Sequence, residues 1–294
     1  MSPTNGMNGF ESNTVGHKTS NGQKTSKQGS AKKKYKKKKY DFTIVTGANK
    51  NHFCPMKGFL YNLNDIIKGL NARLIVYDLG FLDKQRREMM GLMNRGYLNE
   101  LRVFNYKKYP SFWNISEANG EYAWKPGIVA EVSKDYPGII IWLDSGTFPQ
   151  RRYFEILNPL LNKYNGFLSP RSPGSMKMWT HPGVYVYYKD DASKYNKFPN
   201  CNAASIAFDT KKVQHLIDEW YSCALNKDCI APAGSSRENH RQDQSVLTYL
   251  AIRAGYYCFM EENTLSIVNH QDNKCYKIIT MHEKIKYISK KSKH

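Results

Sequence analysis

Short apolar strands alternate with helical segments through the first half of this 294-residue chain, and this alternation constrains the fold more than any other feature. The expected strands are 42–48, 72–80, 101–106 and 138–148, and the expected helices between them are 62–70, 83–96 and 123–137. The pattern predicts an α/β fold with a mainly parallel, twisted sheet and helices on both faces.

Polar residues follow several of these strands. In an open α/β sheet, ligands bind beyond the carboxyl ends of the strands. This rule selects Thr46 with the residues up to Asn49, then Asp78, and then Asp144 with Ser145. We therefore expect these side chains to line a binding crevice.

Asp144 is the sharpest candidate, because it ends the most apolar strand of the chain. A carboxylate there can hold a divalent metal, manganese or magnesium, against a diphosphate, since hard cations take oxygen ligands. A second carboxylate two positions on would strengthen this prediction, but the chain has Gly146 there. His270 and His282 follow later apolar runs, and either is a candidate to complete the metal site. The alternative is that Asp144 only caps the following turn.

Two further charged residues lie at the starts of expected helices. Asp243, in the sequence NHRQDQS, is a candidate general base or sugar-hydroxyl ligand. Its alternative role is to place a negative charge at a helix N-terminus. Lys125 is a candidate diphosphate contact, or else an exposed charge of the first helical turn.

The second half of the chain is less regular. Helices are expected at 213–225 and 242–255, followed by short β-rich pieces at 256–260, 266–270 and 276–282. We expect three regions: a disordered Lys-rich tail at 1–40, one domain at 41–285 and a basic C-terminal tail at 286–294.

Positive charge is concentrated at the start of the chain. The net charge is +19, and residues 1–40 contain ten lysines and one glutamate. This composition predicts a disordered segment. Its lysine run is a nuclear address, a patch that binds phosphate or an anionic lipid surface, or else a solvated tail. Without a recognition motif, the charge does not predict specific nucleic-acid binding.

Cys223 and Cys229 flank only five residues. A disulfide between them is feasible if their Cα atoms come within about 7 Å, and it would indicate an oxidising compartment. The alternative is a buried thiol and a free one. No apolar run reaches 18 residues and no signal peptide is recognisable, so we expect no transmembrane helix and leave the compartment open.

Six motifs in this order resemble a family expanded in nematodes and related to the nucleotide-diphospho-sugar transferases. The resemblance covers roughly residues 42–272, and its motifs are TGANKNHF, LIVYDLGF, YAWKPGIVAE, IIIWLDSGTF, CALNKDCIAPAGS and HRQDQSVLTYLA. It implies a GT-A-like domain that binds a nucleotide-sugar on one side and an acceptor on the other.

The resemblance also implies roles for single residues. Asp144 matches the first aspartate of a metal-binding DxD motif, and His270, with His282 in reserve, matches a metal ligand. Asp78 matches the residue that contacts the nucleotide, and Lys125 lies in the helix over the diphosphate. Asp243 matches an acidic residue on the acceptor side. Members of such families are typically lumenal secretory proteins.

The implied activity is transfer of a sugar from a nucleotide-diphosphate donor to a hydroxyl group of a glycan or protein acceptor. Lys125, Arg151 and Arg152 are expected to stabilise the charge of the departing diphosphate. The competing hypothesis is a catalytically silent GT-A-like protein that binds a glycan or nucleotide, and the missing second aspartate favours it.

Overall fold

The computed structural model describes residues 39–291, so nearly all of the expected Lys-rich tail lies outside the described residues. The strands are β1 (Phe42–Ala48), β2 (Ala72–Asp78), β3 (Glu100–Val103), β4 (Ile139–Leu143), β5 (Phe148–Pro149), β6 (Phe167–Leu168), β7 (Arg171–Ser175), β8 (Pro199–Cys201), β9 (Ser205–Asp209) and β10 (Ile267–Val268). The helices are α1 (Phe53–Ile67), α2 (Asp83–Asn94), α3 (Trp124–Asp135), α4 (Arg151–Lys163), α5 (Met176–Trp179), α6 (Pro182–Tyr188), α7 (Thr210–Ala224), α8 (Lys227–Ile230), α9 (Gln242–Arg253), α10 (Glu262–Leu265) and α11 (Cys275–Lys291). Short 3₁₀-helices lie at Lys50–His52, Tyr106–Lys108, Ser111–Trp113, Ala118–Tyr122, Ala192–Lys194 and Asp272–Lys274.

The central sheet has the strand order β3-β2-β1-β4-β9-β6. Strand β1 pairs in parallel with both β2 and β4, and β2 pairs in parallel with β3. Strand β9 runs antiparallel between β4 and β6. The predicted α/β class with a mainly parallel sheet is therefore confirmed.

Apolar side chains cover both faces of this sheet. Ile44 and Ile141 belong to one buried cluster, whereas their neighbours Val45 and Trp142 belong to another. Successive residues of a strand point to opposite faces, so an uninterrupted apolar strand supplies both clusters. Helices α1 and α4 contribute to the first cluster, and α3, α7 and α9 contribute to the second, as expected for helices on both faces.

Strand β4 ends earlier than the apolar run suggested. It stops at Leu143, and the Thr147 N–H donates to the Asp144 carbonyl at 2.9 Å. The chain therefore turns at Asp144, which places this carboxylate at the carboxyl edge of the sheet beside the end of β1.

The expectation of a strand at 276–282 is wrong, because these residues belong to helix α11. Ile278 and Ile279 pack against the cluster on the α1 side, and the His282 ring stacks on Tyr61 at 4.0 Å between centroids. Packing against α1 thus overrides the local strand preference of the two isoleucines. The helix continues to Lys291, across the boundary expected at residue 285. No helix among residues 39–291 is long and apolar enough to cross a membrane.

All six cysteines form disulfides. The pairs are Cys54–Cys275, Cys201–Cys258 and Cys223–Cys229. The last is the pair that the sequence allowed, with Cα atoms 5.3 Å apart. The Cys54–Cys275 pair joins α1 to the start of α11, across 221 residues of sequence.

The long-range disulfide should contribute more stability than the short one. In the chain-entropy account, closing a loop of 221 residues contributes about 5 kcal/mol and a loop of six about 2 kcal/mol. Replacing Cys54 and Cys275 together by serine should therefore lower the melting temperature more than replacing Cys223 and Cys229. Calorimetry of both double variants measures this, and an equal loss would contradict the expectation.

Candidate active site

A cleft of about 260 Å³ opens at the carboxyl ends of β1, β2 and β4. This is the edge at which ligands bind in parallel α/β sheets. The cleft is lined by Gly47, Ala48, Asn49, His52, Leu79, Ile115, Asn119, Tyr122, Trp124, Lys125, Asp144, Ser145, Gly146, Arg237, His270 and Asp272. A larger, aromatic hollow of about 340 Å³ beside Tyr164 and Tyr256 contains none of the predicted site residues, so the smaller cleft is the candidate site.

A buried lysine joins two aspartates at the floor of this cleft. Lys125 Nζ lies 3.2 Å from Asp144 Oδ1 and 3.0 Å from Asp243 Oδ2. The same ammonium donates to the Ala203 carbonyl at 3.1 Å. The side chains of Lys125 and Asp243 are each 5% exposed, whereas that of Asp144 is 38% exposed. Asp144 is therefore the member of this trio that meets solvent in the cleft.

Different elements deliver the three side chains. Asp144 follows β4, Lys125 lies in the first turn of α3, and Asp243 lies in the first turn of α9. The Trp142 indole N–H donates to Asp144 Oδ1 at 2.6 Å, and Lys125 contacts the same oxygen. The second oxygen of Asp144 is thus left for the cleft.

The trio is electrostatically coupled. Burial lowers the pKa of Lys125, but the charges of Asp144 and Asp243 outweigh burial, and the pKa lies above its ordinary value. Burial also raises the pKa of Asp243, against the opposing effect of Lys125. The 3.0 Å contact is an ion pair outside hydrogen-bond geometry, so no donor within residues 39–291 satisfies Asp243 Oδ2. The Lys125 ammonium thus opposes, without cancelling, the effect of burial on the pKa of Asp243.

A left-handed segment forms one wall of the cleft. All residues from Ala118 to Tyr122 have positive φ, which is unfavourable for the four that are not glycine. At Gly120, an added Cβ would lie 2.2 Å from the Trp113 carbonyl oxygen. This conformation places Asn119 and Tyr122 in the cleft wall.

Cationic and acidic side chains complete the rim. The guanidinium of Arg237 lies over the Tyr122 ring at 5.0 Å, and its Nη1 donates to Gln242 Oε1 at 3.3 Å. Across the cleft, an added Cβ on Gly146 would lie 2.5 Å from Asp272 Oδ2. The Asp272 carboxylate therefore covers the glycine that occupies the position of the second motif aspartate.

The structure brings together some of the predicted site residues. Lys125, Asp144, Ser145 and His270 all line the cleft. Asp243 lies behind its surface, in contact with Lys125.

Thr46 and Asp78 do not line the cleft. Thr46 is fully buried within β1, and the next three residues take its expected place. Asp78 is also buried: its Oδ1 accepts from the Gly80 and Phe81 N–H groups, and its Oδ2 contacts Arg86 at 2.6 Å. With both oxygens engaged, Asp78 shapes the turn after β2 in this structure.

Three other residues expected at the site lie outside the cleft: His282, Arg151 and Arg152. His282 lies against Tyr61 and accepts or donates at 3.1 Å to the Tyr97 hydroxyl, so it is not a cleft residue. Arg151 donates to the carbonyls of Ile66 and Lys68, and neither it nor Arg152 lines the cleft. The structure therefore places neither arginine in the cleft, and their role at the diphosphate stays an untested expectation.

Arg237 and Asp272 line the cleft although no sequence pattern points to them. Both lie in segments without strand or helix periodicity that are distant in sequence from Asp144. The sequence alone carries no signal that brings either residue to the cleft.

The donor set fits a metal that arrives with a phosphate ligand. Asp144 and His270 offer one oxygen-donor and one nitrogen-donor group to the same cleft. Within residues 39–291, no three His, Cys, Asp or Glu side chains are arranged to hold a metal ion. Magnesium-like cations often take one or two carboxylates and complete their shell with phosphate and water. The residues therefore suit such shared coordination rather than a cage of protein ligands.

The buried trio predicts strong coupling between Lys125 and Asp243. Lys125→Met should destabilise the protein by about 3–5 kcal/mol, since it leaves a buried carboxylate without its partner. Adding Asp243→Asn should recover part of this loss. Urea unfolding of both single variants and the double variant should give a coupling energy of at least about 1 kcal/mol.

The matched control is the ion pair of Arg151 with Glu155, whose side chains are 45% and 57% exposed. Its double-mutant cycle with Arg151→Met and Glu155→Gln should show coupling of about 0.5 kcal/mol or less. Additive effects at the buried pair, equal to those of the control, would refute the coupling.

From the packing of the cleft wall, we predict a loss of thermal stability that is specific to substitution of Gly120. Gly120→Ala should lower the melting temperature more than Gly96→Ala, because both glycines have positive φ but only Gly120 faces a backbone atom. At Gly96 nothing lies within 4 Å of an added Cβ. Thermal unfolding followed by circular dichroism compares the two variants. Equal shifts would show that the wall can relax.

The fold is similar to several solved glycosyltransferases. The mannosyltransferase Ktr4p from S. cerevisiae aligns with a TM-score of 0.48 and 11% identity, over 72% of this chain and 65% of that one. Galactosyltransferase LgtC, in complex with donor and acceptor sugar analogues, aligns with a TM-score of 0.43 and 16% identity, over 70% of this chain and 69% of that one. Mouse xyloside xylosyltransferase 1 aligns with a TM-score of 0.40 and 12% identity, over 74% of this chain and 83% of that one.

No protein-family model and no curated protein matches the chain. The three solved glycosyltransferases resemble this chain in fold alone. Because their identities and TM-scores are low, the case for a function rests on the residues of the cleft.

Proposed function

We propose that the protein is a glycosyltransferase that moves a sugar from a nucleotide-diphosphate donor to a hydroxyl group of a glycan or protein acceptor. The observation that carries this proposal is the half-exposed Asp144 carboxylate at the carboxyl edge of the sheet, held from below by the buried Lys125. Such a carboxylate suits a metal-bound diphosphate, and the cleft around it supplies cationic and histidine side chains.

The reaction breaks the bond between the anomeric carbon and a phosphate oxygen and forms a bond to the acceptor oxygen. The departing nucleoside diphosphate gains negative charge, which must be stabilised. Arg237 is exposed in the cleft and forms no ion pair with any described residue. We assign stabilisation of the departing diphosphate to Arg237, in place of Arg151 and Arg152 of α4, which the sequence suggested.

Asp144 and His270 would hold a divalent metal together with the donor's diphosphate. When bound, the metal neutralises charge on the phosphate oxygens. The contribution of the chain itself is orientation: Trp142 and Lys125 both contact the same oxygen of Asp144, Oδ1, and leave its other oxygen to a ligand.

We propose that Asp243 is a positioning residue. A general base must come within hydrogen-bond reach of the acceptor proton, directly or through one water. Asp243 is buried behind Lys125 and does not line the cleft, although its raised pKa would suit a base. Its contact to Lys125 holds the ammonium that in turn holds Asp144, so it acts at a distance from the substrate.

The disulfides bear on the compartment. Structural disulfides persist in oxidising environments, and all six cysteines of this chain are paired. We therefore propose that the protein works in the secretory pathway or outside the cell, as the family resemblance also suggests.

Substitution of Asp144 should weaken nucleotide binding while the protein still folds. Asp144→Asn should weaken binding of UDP or GDP in the presence of manganese by at least about tenfold, since the amide cannot replace a charged metal ligand. Asp83→Asn, at an exposed aspartate of α2, is the matched control and should bind as the wild type does. Isothermal titration with both nucleotides measures this, and unchanged affinity of Asp144→Asn would contradict the assigned site.

A turnover assay distinguishes a glycosyltransferase from the alternative, a catalytically silent GT-A-like binding protein. A panel of nucleotide-sugars, assayed for hydrolysis or transfer with and without manganese, should show release of a nucleoside diphosphate from at least one donor. Binding in the cleft without turnover of any donor would favour the silent binding protein.

A further inference from the structure

Helix α11 carries an exposed apolar stripe beside the face that packs on α1. Met281, Ile285 and Ile288 are 54%, 65% and 65% exposed. Their i, i+4, i+7 spacing puts them on one helical face. Ile279 and His282 lie on the neighbouring face, which packs on α1. Ile278, seven residues before Ile285, lies at the border between the two faces. A folded domain rarely exposes three large apolar residues in one row without a use for them.

Positive charge accompanies this stripe. Helix α11 contains five lysines and one glutamate. The glutamate, Glu283, pairs with Lys57 of α1 at 3.2 Å, on the packed side. Lys277 and Lys284 are exposed, lie three or four residues from Met281, and form no ion pair with any residue in 39–291. The outer side of the helix therefore combines apolar and cationic groups.

The described chain begins near the same helix. Tyr40 Oη accepts from Asn99 Nδ2 at 3.3 Å, and Tyr97, two residues earlier, contacts His282 of α11 at 3.1 Å. The 38 residues before the described part contain nine lysines and one glutamate. The first described residues thus contact Asn99, two positions from a residue that contacts α11.

We propose that α11 docks on an anionic lipid surface, and in the oxidising compartment proposed above this surface is a lumenal or outer leaflet that displays anionic lipid. A helix with a strong apolar face and lysines beside it lies in the membrane interface, with its apolar side chains at the acyl boundary and its lysines at anionic headgroups. Met281, Ile285 and Ile288 would enter the interface, and Lys277 and Lys284 would meet the phosphates. The Cys54–Cys275 disulfide fixes the start of the helix to α1, so docking would orient the whole domain.

Two other occupants fit the face less well. A soluble polyanion offers partners for the lysines but no hydrocarbon for the stripe. A second copy of the chain offers an apolar stripe but brings its own lysines against the first set, and like charges repel. An anionic bilayer satisfies both groups at once.

The test is co-sedimentation of the full chain with phosphatidylcholine vesicles that contain or lack 30% phosphatidylserine. We expect binding to the anionic vesicles that weakens as salt rises, and at least tenfold weaker binding to the neutral ones. Ile285→Ser with Ile288→Ser should reduce binding to anionic vesicles at least tenfold. Lys277→Gln with Lys284→Gln should also reduce it several-fold.

Val186→Ser is the matched control, because Val186 is 75% exposed on α6 and belongs to no proposed surface. It should bind vesicles as the wild type does. All substituted side chains are exposed, so melting temperatures should stay within a few degrees of wild type, which separates lost docking from lost folding.

Three results would overturn the proposal. The isoleucine variant could bind anionic vesicles as well as wild type does, which would leave only charge at work. The wild type could bind heparin but no vesicles, which would identify a polyanion partner. It could instead form a dimer in sedimentation velocity that the isoleucine substitutions dissolve, without binding vesicles, which would identify the face as an interface between copies.

Discussion

A single buried ammonium, that of Lys125, holds the candidate site together. It joins Asp144 at the end of β4 to Asp243 at the start of α9, residues that are 99 positions apart in sequence. An unpaired charge in such a place would be strongly destabilising. The ion pairs therefore make the position of Asp144 depend on the correct packing of α3 and α9 against the sheet. Folding and site geometry share one interaction.

The late segment of the chain returns to this edge and completes the cleft. Asn269 accepts from the Thr147 hydroxyl at 2.8 Å and donates to Ser205 Oγ at 3.1 Å. These buried contacts fix the segment that carries His270 and Asp272 beside the turn after β4. The disulfide at Cys275 then fastens the same segment to α1. The site thus needs residues from both ends of the domain.

Sequence patterns predicted the sheet and singled out Lys125, Asp144 and Asp243, which the structure brings into contact, because both depend on local features. The apolar run before Asp144 identifies β4 and its end, and Lys125 and Asp243 stand at recognisable helix starts. Arg237 and Asp272 could not be predicted, since loops leave no periodicity from which their positions follow. Disulfide pairing across distant segments cannot be deduced from spacing either. The sequence around Ile278 and Ile279 predicted a strand, but these residues form part of α11 because they pack against α1.

The most direct test of this account is a crystal structure of the protein with a nucleoside diphosphate and manganese. The account predicts the diphosphate in the cleft, with Arg237 within hydrogen-bond distance of a phosphate oxygen and Asp144 and His270 at the metal. A nucleotide bound elsewhere, with its diphosphate remote from all three of these residues, would contradict the central claim.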